Sequence, residues 1–117
     1  MLGLVPHAEV PALLAICDVF MLPSFLEGFS LALLEALASG LPIVSTPNSG
    51  AIDLITDPGL GRVVAPGSVE ALVAALEYYL ANPPDRAAVR TAAAPLAPHF
   101  SWEAYGDRWV RLLEESR

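Results

Sequence analysis

The sequence predicts an α/β fold: a parallel sheet of about four strands with helices on both faces. Three observations carry that reading. Short apolar runs that suit buried strands alternate with longer stretches at helical spacing. The connections between them are only a few residues long and hold Gly, Pro, Asn and Ser. The 117 residues are 55% apolar, which argues for one well-buried core and against disorder. Alternation with short links builds strand–helix–strand units, whose strands run parallel and whose helices cover the sheet.

Taken in order, residues 1–5 read as the end of a buried strand. A helix over 9–17 follows, with Pro11 tolerated in its first turn and Leu13, Leu14 and Ile16 spaced to pack on the sheet. Residues 18–22 (Asp18-Val19-Phe20-Met21-Leu22) are the next strand. A helix over 30–39 has Ser30 as its N-cap and Gly40 as its stop, and Pro42 prevents continuation. Residues 42–46 form a strand, Pro47-Asn48-Ser49-Gly50 a turn, and 51–55 a short helix bearing Asp53. Asp57-Pro58-Gly59 turns the chain into a last strand over 61–65. A covering helix over 69–80 opens with Glu70 and keeps Leu72, Val73, Leu76 and Leu80 at helical spacing. An amphipathic helix over 85–94 is interrupted by Pro95 and Pro98. A terminal helix over 101–115 carries Tyr105, Trp109, Leu112 and Leu113 as its apolar side. The chain thus divides into a sheet domain, 1–100, and a terminal helical segment, 101–117.

Charge excludes several functions. The net charge is -7, there is no lysine, and the six arginines (62, 86, 90, 108, 111 and 117) are scattered. A nucleic-acid footprint needs a basic patch, and so does electrostatic attachment to an anionic membrane. The single cysteine, Cys17, excludes an internal disulfide, and its apolar surroundings read as a buried, inert thiol. His7 has no metal-like neighbours and reads as a solvated loop histidine, so no metal site is expected. No apolar run reaches the roughly 18 residues of a membrane span, and the chain does not open on a secretory signal, so a cytoplasmic protein is expected.

The chain is organised around residues 22–40. Glu27 and Gly28 stand where a strand hands over to a helix, which in an open parallel sheet is the crevice where ligands bind. The helix that follows, Leu31-Ala32-Leu33-Leu34-Glu35-Ala36-Leu37-Ala38, shows no polar face and is expected to be buried all round. Glu35 then needs a partner or a solvated cleft. It either reaches the surface or an arginine, or faces a ligand hydroxyl together with Glu27, eight positions earlier. Carboxylates accept two neighbouring hydroxyls well, which points to a sugar.

Glu27-Gly28-Phe29-Ser30, followed by Leu34-Glu35-Ala36-Leu37-Ala38-Ser39-Gly40-Leu41-Pro42-Ile43-Val44, resembles the E-x7-E signature of group 1 (family 4-like) retaining glycosyltransferases of the GT-B fold. The likeness is to their C-terminal, Rossmann-like, nucleotide-sugar-binding domain. It extends more weakly over residues 3–102, with Gly50 and Asp53 matching the family's next loop loosely.

The resemblance implies that Glu27 is the catalytic-site carboxylate, accepting hydrogen bonds from the donor sugar. The backbone amides of Gly28, Phe29 and Ser30 would face the donor phosphate, and Glu35 would hold the ribose hydroxyls. The reaction would be transfer of a sugar from a nucleotide-diphosphate donor to an acceptor hydroxyl of a glycan, lipid or small molecule, with retained configuration. No cofactor or metal is implied, because in the family an Arg–Lys pair neutralises the departing diphosphate. That pair, the opening strands and the N-terminal acceptor domain are not in these residues. The chain is therefore expected to be the second half of the C-terminal domain, inactive alone, with the parent cytoplasmic or peripherally membrane-attached. Other readings are a non-catalytic nucleotide(-sugar) module, a structural half that docks a separate N-terminal half through Trp102 and Trp109, and a glycosidase-like pair of Glu27 and Glu35.

Overall fold

A computed structural model of the chain describes residues 3–25, 31–99 and 102–116. Three strands, β1 (Phe20–Leu22), β2 (Ile43–Ser45) and β3 (Gly61–Val63), form one parallel sheet in that order. Phe20 pairs with Ile43 and Leu22 with Ser45, while Ile43 pairs with Gly61 and Ser45 with Val63. The helices are α1 (Val10–Ile16), α2 (Leu31–Ala38), α3 (Ala51–Leu54), α4 (Val69–Ala81), α5 (Arg86–Ala93) and α6 (Trp102–Glu115).

β2 is central and buried at every position, and its alternating side chains divide the core. Ile43 packs with Leu14 of α1, Leu33 and Leu37 of α2, Leu54 of α3 and Val89 of α5. Val44 points the other way, to Val64 and to Ala75 and Tyr79 of α4. Both faces of the sheet are thus covered, as a parallel sheet requires.

The helix boundaries follow local chemistry. At the end of α2, Gly40 takes φ 85°. Its N–H donates to Leu37 O and that of Leu41 to Ala36 O, the paired bonds of a Schellman stop. A Cβ at Gly40 would also lie 2.8 Å from Arg86 O, so only glycine lets α5 approach this closely. Ser68 Oγ accepts from Ala71 N, and Asp85 Oδ1 from Ala87 N and Ala88 N, capping α4 and α5.

Several expectations need correction. Residues 3–5 form no strand and Leu4 is fully exposed, leaving three strands among the described residues. Within α1 the buried residue is Leu14, whereas Ile16 is exposed. At Cys17 the backbone has turned from helical to extended, and its thiol is exposed rather than buried. On α4 the packed stripe is Ala71, Leu72, Ala75 and Tyr79; Val73 and Leu80 face outward. The break expected at Pro95 and Pro98 is present, with α5 ending at Ala93 and Ala94–His99 running on as a 3-10 helix.

Candidate functional site

At the carboxyl edge of the sheet three connections meet: 23–25 after β1, 46–50 after β2 and 64–68 after β3. The second binds the first. Ser45 Oγ donates to Leu22 O at 2.7 Å, Thr46 Oγ1 to Ser24 O, and Asn48 Nδ2 to Phe25 O at 2.7 Å. Ser49 Oγ lies 2.6 Å from Ser45 Oγ and 2.9 Å from Thr46 O. Each hydroxyl has one proton, so with Ser45 donating to Leu22, Ser49 serves either Ser45 Oγ or Thr46 O. Ser45, Thr46 and Ser49 are fully buried, and this network satisfies all three hydroxyls. The ring of Phe25 lies against the third connection, where a Cβ on Gly67 would come within 3.1 Å of it.

Of the residues predicted for the site, Glu27, Gly28, Phe29 and Ser30 lie outside the described residues. Glu35 is described and exposed. It shares an open helix face with Leu31, Ala32 and Ala38, opposite the face where Leu33, Ala36 and Leu37 pack on the sheet. The expectation that this helix is buried all round is thereby corrected. Alanines and one leucine make its outer face look apolar in sequence, yet no element among the described residues covers it. Glu35 lies midway along α2, its backbone about 6 Å along the helix axis from that of Leu31. Asp53 and His7 are exposed. Among the described residues no group of three or more His, Cys, Asp or Glu is placed to hold a metal ion. No helix among them is long and apolar enough to cross a membrane.

Sequence reading missed Ser45, Thr46, Asn48 and Ser49 as working residues. The available signal was the change from Ile43-Val44 to four polar side chains within five positions, at the edge where strands end.

The amino edge differs. Arg86 Nη1 donates to Ser39 O at 3.1 Å, and its Nη2 donates to Leu14 O at 3.0 Å and to Cys17 O. Arg90 Nη2 adds a bond to Ser39 O at 3.3 Å. The guanidinium therefore closes the carboxyl ends of α1 and α2, where helix dipoles favour a cation. Nearby, a hollow of about 390 Å³ is lined by Asp57, Pro58, Tyr79, Asn82, Pro84 and Val89. The Tyr79 hydroxyl is buried and makes no hydrogen bond of good geometry among the described residues, with the Arg62 guanidinium beside it. Burial raises its pKa above 10.0, and the Arg62 guanidinium offsets part of that rise. Arg62 itself stacks on Tyr78, 3.7 Å from the ring centroid.

Residues 1–95 match the family model described as glycosyl transferases group 1. The chain is 35% identical over 102 residues to O-antigen chain mannosyltransferase B of Escherichia coli, covering 87% of this chain and 26% of that protein. It is 33% identical over 121 residues to a GDP-mannose-dependent alpha-(1-6)-phosphatidylinositol monomannoside mannosyltransferase of Mycolicibacterium smegmatis, covering 97% and 32%. Among solved structures, sucrose-phosphate synthase from Thermosynechococcus elongatus superposes with a TM-score of 0.74 at 26% identity, over 97% of this chain and 29% of that one. The chain spans about a quarter to a third of the length of these relatives.

Proposed function

The chain belongs to the group 1 glycosyl transferases, and on that premise we propose that it forms part of the donor site of an enzyme moving a sugar from a nucleotide diphosphate to an acceptor hydroxyl. The parallel sheet with flanking helices is that of GT-B glycosyltransferases. One observation carries the proposal. The connection bearing Glu27 leaves the carboxyl edge of β1 and leads into α2, whose carboxylate, Glu35, is open to solvent.

In this reading Glu27 accepts hydrogen bonds from the sugar ring and Glu35 from the ribose hydroxyls. The amides of Gly28, Phe29 and Ser30 face the phosphates, at a helix amino end that favours anions. The sugar–phosphate bond breaks, and the bond to the acceptor oxygen forms with configuration retained. The donor is a nucleotide-diphosphate hexose, and the mannosyltransferases among the relatives make GDP-mannose the first to test. The acceptor is a glycan, a lipid or a small molecule, and no separate cofactor takes part.

The chain by itself binds donor weakly and does not turn it over. It contains no lysine, Arg86 and Arg90 are engaged at the opposite edge, and a diphosphate leaving group needs cationic partners. Calorimetric titration with GDP-mannose and UDP-glucose tests this. A measurable heat that falls about tenfold in affinity in Glu35→Gln is expected, from loss of a charged acceptor. Absence of binding by either nucleotide overturns the donor reading, and sustained turnover overturns the inactivity.

A second reading is a half that docks on a separate N-terminal half. It is favoured by α6, which leaves Trp109, Val110, Leu112 and Leu113 exposed at 50 to 60%. The same titration separates the two, since a docking half without donor contacts gives no heat.

A further inference from the structure

We infer that Thr46 and Asn48 are positioning residues, holding the backbone from which Glu27 emerges; the inference rests on the donor reading above. The backbone ladder between β1 and β2 ends at the pair Leu22–Ser45. Beyond that pair the chain runs on through Pro23, Ser24 and Phe25, and side chains take over where backbone pairing stops. Ser45 holds the carbonyl of Leu22, Thr46 that of Ser24 and Asn48 that of Phe25. The Ser45 bond joins the last residues of the two strands, and the other two run from the connection after β2 to the connection after β1. The last acceptor, Phe25 O, is two residues before Glu27.

The arrangement suits orientation better than stability alone. Thr46 is fully buried, but Asn48 is exposed, and an exposed amide bound to an exposed carbonyl displaces only water. What such a bond does is fix direction. Pro23 lacks a backbone donor, so the stretch depends on acceptor-side bonds to hold its course. Sites built from groups held by a supporting shell lose little freedom when ligand binds. Phe25, seated on Gly67, adds a contact from the third connection, so Ser24 and Phe25 are held from two sides.

Hydrogen exchange by mass spectrometry on the 117-residue chain tests the assignment. Wild type is compared with Thr46→Val, Asn48→Ala and Thr46→Ser. Exchange over 23–31 is expected to quicken several-fold in Thr46→Val and less in Asn48→Ala, whose bond is exposed, through more frequent local opening, since both lost bonds end on carbonyls and uncover no amide directly. Thr46→Ser, which keeps the hydroxyl, is expected to stay at the wild-type rate. Unchanged exchange in both truncating variants overturns the inference. Equal quickening in α4 and α5 also overturns it, because that marks general loss of stability. GDP-mannose titration of the same proteins tests the underlying reading separately. Local quickening in variants of a chain that binds no nucleotide retains the backbone restraint and removes the donor role.

Discussion

At the carboxyl edge of the sheet, neutral hydroxyls and an amide from the end of β2 and the connection after it reach the backbone at the end of β1 and beyond. At the amino edge, a guanidinium gathers carbonyls from the ends of two helices. The first arrangement uses no charge, and Glu35, on the helix that follows β1, is open to solvent. The second spends Arg86, with Arg90, on closing the fold. The contrast separates two jobs within a small sheet. A cation that ties helix ends together is held at the amino edge, away from the edge where strands end, whereas a neutral network fixes backbone direction there without engaging Glu35. Each variant below is therefore chosen to move one edge without the other.

The largest effect on stability is expected from Arg86→Met. It strips a charged donor from Leu14 O, Cys17 O and Ser39 O, at a residue only partly open to water. Hydrogen bonds from charged groups contribute about 1.5–3 kcal/mol, so a loss of about 2–3 kcal/mol in urea unfolding is expected, with nucleotide binding by the folded protein unchanged. A loss below about 0.5 kcal/mol, or a fall in nucleotide affinity, would break the division between the edges.

A smaller effect of opposite sign is expected from Tyr79→Phe, at the hollow beneath β3. Removing a buried hydroxyl that makes no hydrogen bond of good geometry should stabilise the fold by about 1 kcal/mol. The pH dependence sharpens this. Burial raises the folded pKa of Tyr79 above the 10.0 of an unperturbed tyrosine. Below pH 10 both states keep the proton. Above it the unfolded chain releases a proton that the folded chain retains, so stability falls as pH rises. The difference between wild type and Tyr79→Phe should therefore widen above about pH 10, and parallel curves would contradict the burial argument.

Much of this fold was legible because its signals are local. The alternation of strand and helix and the Gly40 stop each depend on a few adjacent residues, and both stand where pattern placed them. Faces were harder to read. Cys17 and Ile16 looked buried because their neighbours are apolar, but burial depends on which neighbour packs across from them. The same holds for α2, whose outer alanines do not reveal in sequence that no described element packs on them. The hydroxyl and amide network was not legible either. Its bonds join residues 22 or 23 positions apart, and the turn residues Asn48 and Ser49 have a sufficient local reason to be there. The acids of the motif were proposed from spacing and family likeness, and the hydrogen bonds to the backbone ahead of them come only from the fold.

The central claim is that the carboxyl edge receives a nucleotide sugar while the amino edge is structural. Amide chemical-shift mapping during a GDP-mannose titration of the 117-residue chain tests it most directly. The account predicts shifts confined to residues 22–36, 46–50 and 64–68, reduced in Glu35→Gln. Shifts centred on 57–59 and 78–89 around the Tyr79 hollow, or no shifts at all, would contradict it.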